Sequence, residues 1–274
     1  MNKKLLIGLI VVLVLGLGFL IYNVTIGQDN VGKTDEVCFE FDEESGKITG
    51  YKEICDTEIN IPKTIKGKKV KAIGSFAFAR KEITKIKLPE GLEEIGIGAF
   101  DDNLIERVEI PSTVTTIKAY AFRKNRIKKL EIGENVTDIG LAAFNNNQMK
   151  EKEAFIYMRS ERGIDNETVV SYAGKERKRV LVPNQVTMLY LNSFADCEIE
   201  EIVLSDKLER IEGKALEGNK IKSIRIPNSV IIINQDALSG NNLKEIIVYG
   251  KKNIEEFSYF DLTGIDKEII KFEK

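Results

Sequence analysis

Residues 121–132 read AFRKNRIKKLEI. Twenty-two positions earlier, residues 99–110 read AFDDNLIERVEI, and twenty-two positions later, residues 143–154 read AFNNNQMKEKEA. The aromatic of this stretch marks a register: Phe78, Phe100, Phe122 and Phe144 follow one another at steps of 22, and Phe194, Leu216 and Leu238 repeat the step after a break. Phe260 falls one step later again.

Other apolar columns keep this register. Five positions before the mark stand Ile73, Ile95, Ile117, Ile139, Leu189, Ile211 and Ile233. Eight before it stand Val70, Leu92, Val114, Val136, Val186, Leu208 and Val230. Each unit also carries an apolar-x-apolar pair, such as Val108/Ile110, Leu130/Ile132 and Ile224/Ile226, usually followed by proline (Pro89, Pro111, Pro183, Pro227). Alternation over three positions predicts a short strand with one buried face, and proline ends it because it cannot donate to a ladder. A fixed period of this length predicts a solenoid, in which each coil buries its columns against its neighbours and none stands alone.

Asparagine has its own column, three after the mark: Asn103, Asn125, Asn147, Asn219 and Asn241, broken by Lys81 and Cys197. Its amide carries both donors and an acceptor, so a stacked Asn column predicts satisfaction of turn backbone rather than ligand binding. Cys197 reads as a small buried thiol.

Composition removes several function classes. The chain has 274 residues with 41 basic and 43 acidic side chains, a net charge of −2, which gives no electrostatic basis for a nucleic-acid partner. It contains no His and three Cys. That removes His-based triads and the usual zinc sets, and no cofactor is expected. GKTDE at 32–36 lacks the upstream glycine spacing of a phosphate loop. Acidic pairs such as Asp101-Asp102 and Glu93-Glu94 read as solvated turns.

The N-terminus stands apart. Lys3 and Lys4 precede an uncharged run over 5–28, whose first eighteen residues, Leu5–Tyr22, are apolar throughout apart from its glycines. This exceeds a signal-peptide core of ~7–15 residues and approaches the ~20 of a membrane helix. The expectation is a single-pass anchor in the cell membrane, with contact through residues 5–26 and the rest of the chain outside. The alternative is secretion after cleavage. The expected organisation is an anchor over 1–28, a hairpin cap over 29–61, the solenoid over 62–250 with an insertion at about 150–179, and a C-terminal cap over 251–274.

The full repeats LPEGLEEIGIGAFDDNLIERVEI and IPSTVTTIKAYAFRKNRIKKLEI resemble the BspA-type leucine-rich repeat of bacterial surface proteins, over about residues 39–250. FEFDEESGKITGYKE (39–53) resembles the hairpin that precedes the first coil in many members, and residues 153–186 resemble a hairpin-bearing insertion. The resemblance implies a right-handed, mainly β solenoid. It also implies a binding, adhesion or scaffold role at the cell surface without enzymatic activity, toward a protein, a surface polysaccharide or another copy of the chain. An accessory module for a separate cell-envelope enzyme is the alternative.

Two sets of residues are singled out. Cys38 and Cys55 flank the first hairpin in an oxidising compartment and are candidates for a disulfide. A turn at 43–46 places Cys38 opposite about Tyr51, so the bridge requires the chain to fold back after Ile54. The residues between inward strand positions face solvent. In the second half of the chain these are Leu181, Val203, Arg225 and Ile247, and with Arg179 they form the candidate binding face. The competing expectation is that the 153–179 insertion folds over Leu181 and Val203.

Overall fold

A computed structural model describes residues 32–261 and 263–274. The expected membrane segment, 1–28, lies outside the described residues. Among the described residues there is no α-helix, and none of the helical turns is long or apolar enough to cross a membrane.

The chain is a β solenoid. Each coil contributes a two-residue strand at the column five before the mark, and these strands pair in parallel at fixed register: Ala72↔Glu94↔Thr116↔Asp138 and Ile73↔Ile95↔Ile117↔Ile139. A second set of strands carries the apolar-x-apolar pairs, such as Arg107–Ile110 against Lys129–Ile132. Both sets point their apolar residues into one continuous core. Phe78, Phe100, Phe122 and Phe144 stack ring on ring, with centroids 5.0, 5.1 and 5.5 Å apart.

Two modules of like construction share this core. In the first, the antiparallel hairpin Phe39–Asp42/Lys47–Tyr51 begins a sheet that continues in parallel through Ala72–Ile73, Glu94–Ile95, Thr116–Ile117 and Asp138–Ile139. In the second, the antiparallel hairpin Phe155–Ser160/Gly163–Tyr172 begins a sheet that continues through Met188–Leu189, Arg210–Ile211, Ile232–Ile233 and Tyr259–Phe260. Each hairpin ends on a Phe–Tyr pair that packs on the first ring of its module: Phe39↔Tyr51 on Phe78, and Phe155↔Tyr172 on Phe194. The insertion is thus a second cap hairpin built into the stack.

Asn145 joins the modules. It is fully buried; its Oδ1 accepts from Ser171 Oγ (2.6 Å) and Tyr172 N (3.1 Å), and its Nδ2 donates to Asn192 O and Ala195 O.

The last coil departs from the period. Phe260 pairs with Ile233, 27 positions earlier, so it occupies the column five before the mark rather than the mark itself. A 3-10 turn at Ile254–Glu256 takes up the additional residues. Phe257 is buried, and Phe260, Ile265, Ile269, Ile270 and Phe272 pack partly buried against the core.

Candidate functional site

The turns beside the mark explain the Asn column. Arg80, Asp102, Lys124, Asn146 and Asp196 adopt positive φ just before that column, as do Gly218 and Gly240. Such a corner turns backbone groups inward without ladder partners. Asn125 supplies them: Oδ1 accepts from Ile105 N (3.1 Å), and Nδ2 donates to Phe100 O (2.8 Å) and Phe122 O (3.2 Å). Asn103, Asn147, Asn219 and Asn241 make the corresponding bonds. Every one of these amides spans two coils, with its oxygen and its NH2 both committed to backbone.

Cys197, where the column is broken, is buried, and burial pushes its thiol up to about 12, far from a nucleophile at neutral pH. Cys38 and Cys55 are joined, with Cα atoms 5.9 Å apart. Phe39 pairs with Tyr51, and a tight turn in which Cys55 N donates to Lys52 O brings the chain back to Cys38. Among the described residues no group of three or more Cys, Asp or Glu side chains is placed to hold a metal ion.

On the second set of strands, Val180 pairs with Ile202 and Leu181 with Val203, in parallel. Val180 and Ile202 are buried, so the alternation turns Leu181 and Val203 outward, where they are 50% and 38% exposed. The insertion does not cover them. Its strand Gly163–Tyr172 pairs with Met188–Leu189 and so belongs to the other sheet. Arg179 and Glu201 flank the apolar pair as an exposed ion pair, Nε to Oε1 2.9 Å. Arg225 is exposed on a neighbouring coil.

Ile247 does not join this surface. It faces outward by alternation yet is only 8% exposed. The strand Ile270–Glu273 adds beyond it and sets it in register between Arg225 and Lys271, whose aliphatic stems can lie over it. The exposed face therefore comprises Arg179, Leu181, Val203 and Arg225. The matching face of the first module is charged, with Lys129–Glu131 at 2.7 Å and Arg107–Glu131 at 3.5 Å.

A polar groove of about 600 Å3 crosses the seam at the turn edge. Two of its charged side chains have partners: Arg177 Nη1 donates to Asn146 Oδ1 (2.8 Å), and Glu198 pairs with Lys220 outside the groove (2.9 Å).

A profile of the BspA type leucine-rich repeat region matches residues 51–159 and 170–272, with six copies. Among solved structures, a leucine-rich repeat protein from Eubacterium ventriosum is similar at 21% identity and a TM-score of 0.55, covering 71% of this chain and 54% of that one. The pneumococcal vaccine antigen PcpA is similar at 21% identity and a TM-score of 0.50, covering 77% of this chain and 65% of that one. The chain thus spans about half the length of the first and about two thirds of the second, and at this identity the likeness concerns the fold. No curated protein matches.

Proposed function

The chain belongs to the BspA-type leucine-rich repeat family, and from that membership we propose that it is an extracellular binding or scaffold module without chemistry of its own, held in the bacterial membrane through residues 5–26. The observation that carries the reading is the pair Leu181 and Val203, exposed side by side on a sheet whose first half is covered by ion pairs. Contiguous exposed aliphatics on an otherwise polar sheet favour a contact surface, and arginines at their rim suit a protein partner. Two features of the described residues support the non-catalytic reading: the Asn column is bonded to turn backbone, and Cys197 is buried with its thiol pushed up to about 12. The uncharged run at the N-terminus supports the anchor.

The test is a cell-surface pull-down with wild-type protein and with the Leu181→Asp, Val203→Asp double variant, each checked for folding by circular dichroism. Loss of the captured partner in the folded variant is expected. Unchanged capture would refute this face as the binding surface.

A further inference from the structure

Among the described residues, the sheet that carries Leu181 and Val203 lacks one strand at the seam. In the second module, Glu245–Tyr249 is followed by a 3-10 turn at Lys267–Ile269 and then by Ile270–Glu273, which pairs with it: Ile246↔Ile270, Ile247↔Lys271, Val248↔Phe272, Tyr249↔Glu273. In the first module, Lys129–Ile132 holds the place of Glu245–Tyr249. The chain after it also makes a 3-10 turn, at Glu151–Glu153, but then enters Phe155–Ser160, which pairs with Gly163–Tyr172 in the other sheet. Among the described residues Lys129–Ile132 is therefore paired on one side only, with Arg107–Ile110.

This gap differs from the other breaks in the sheet. Lys85–Lys87 and Arg107–Ile110, or Ile202–Val203 and Ser223–Ile226, share no ladder but still lie side by side, whereas Lys129–Ile132 and Val180–Leu181 are not packed in this way. Against the open edge is a groove of about 330 Å3, lined by Leu130, Ile132, Met149, Ile156, Lys129 and Arg159, with Glu153 at its margin. An unpaired strand edge over an apolar floor is a template for strand addition.

The second module shows which strand suits such a place. Ile270 and Phe272 alternate inward against the core, and Lys271 Nζ reaches Glu245 Oε1 at 2.5 Å. In the same register, an added strand would set apolar residues opposite Leu130 and Ile132 and a basic residue opposite Glu131. Its fourth residue would lie opposite Gly133, whose carbonyl accepts from Arg159 Nη1 at 2.9 Å. Arg159 has no carboxylate partner among the described residues, and an acidic fourth residue would provide one.

We propose that this groove takes an extended segment of a second protein, added in parallel to Lys129–Ile132, with the pattern apolar–basic–apolar–acidic. The C-terminal strand of another copy fits it less well. To fill the groove it would leave the edge of Glu245–Tyr249, exposing one ladder to form another.

A fluorescent peptide with the sequence of residues 267–274, KEIIKFEK, titrated by anisotropy into the full chain in detergent micelles, tests the proposal. Saturable binding is expected. Methylating the two peptide amides that face Lys129–Ile132 should weaken it at least ~tenfold, since each ladder bond is worth about fivefold. Arg159→Gln should weaken this peptide but not one with Gln in place of its second Glu. Ile132→Lys should abolish binding, and if that variant does not fold, the methylated peptide decides. No saturable binding at millimolar peptide, or equal binding of the methylated peptide, would overturn the proposal. So would dimerisation of the chain that the peptide competes away, because the groove would then be filled by a second copy.

Discussion

Replacing Asn125 with Ala isolates one rung of the Asn column. Asn125 is buried, and its Oδ1 is the acceptor for Ile105 N. After truncation that N–H stays buried without a partner, at a cost of ~1–3 kcal/mol. The carbonyls fare better, and Arg123 O, which shares the amide at 3.2 Å, keeps Asp102 N. Phe100 O keeps Asn103 Nδ2 and Phe122 O keeps Asn147 Nδ2. Each loses one of two donors, about 0.5–1.5 kcal/mol. The sum centres on about 3–4 kcal/mol. At ~2–4 °C per kcal/mol for a chain of this length, Tm should fall by about 6–16 °C. Asn135→Ala is the control: Asn135 is exposed and donates once, to Ser112 O at 2.9 Å, so its loss should stay within ~0.5 kcal/mol. Paired urea and thermal melts read both. A loss below ~1 kcal/mol for Asn125→Ala, or equal losses for the two variants, would refute the claim that the column ties coils together.

Ser193 stands in a column otherwise held by Ala77, Ala99, Ala121, Ala143, Ala215 and Ala237, and its buried Oγ has no hydrogen-bond partner among the described residues. Ser193→Ala should therefore raise stability by ~1–2 kcal/mol, measured by urea midpoint. The Cys38–Cys55 bridge closes a separation of 17 residues, so Cys38→Ser with Cys55→Ser should cost ~3 kcal/mol, and intact mass before and after reduction should show one disulfide in wild type. Burial raises Tyr51 from its ordinary 10.0 to about 12. An acid raised by folding lends stability that is complete below its unfolded value and is lost as pH rises through the folded one. Unfolding midpoints should thus fall from pH about 9, where the Cys197 share begins to be lost, to about 12, with a shallower fall in Tyr51→Phe, which leaves only that share.

The solenoid was legible because its determinants are local and recurrent. Phe78 to Phe144 and Ile73 to Ile139 keep one spacing, so the buried columns could be read directly. The inserted hairpin was expected from its resemblance, but its likeness to the N-terminal cap was not, because Phe39–Tyr51 and Phe155–Tyr172 differ in length and share little beyond their terminal aromatics. The positive-φ corners were hidden for a related reason. Arg80, Lys124 and Tyr120 adopt a conformation usually signalled by glycine. Ile247 shows the limit of alternation, which gives a side chain's direction but not what a later strand lays beside it. Phe260 shows the limit of the period: Ile254–Glu256 shifts it to another column while the spacing in sequence still fits. Asn145 sits in a run of three asparagines, and only the second hairpin, 26 residues on, gives it Ser171 as a partner.

The claim that the second module carries the contact surface is tested most directly by site-specific photocrosslinking on living cells. A photoreactive residue would be placed at Val203 in one strain and at Glu109, in the same outward column of the first module, in another. The account predicts a discrete crosslinked partner from position 203 that is absent from position 109 and lost when Leu181→Asp is added. Equal crosslinking from the two positions, or the same product in the presence of Leu181→Asp, would contradict it.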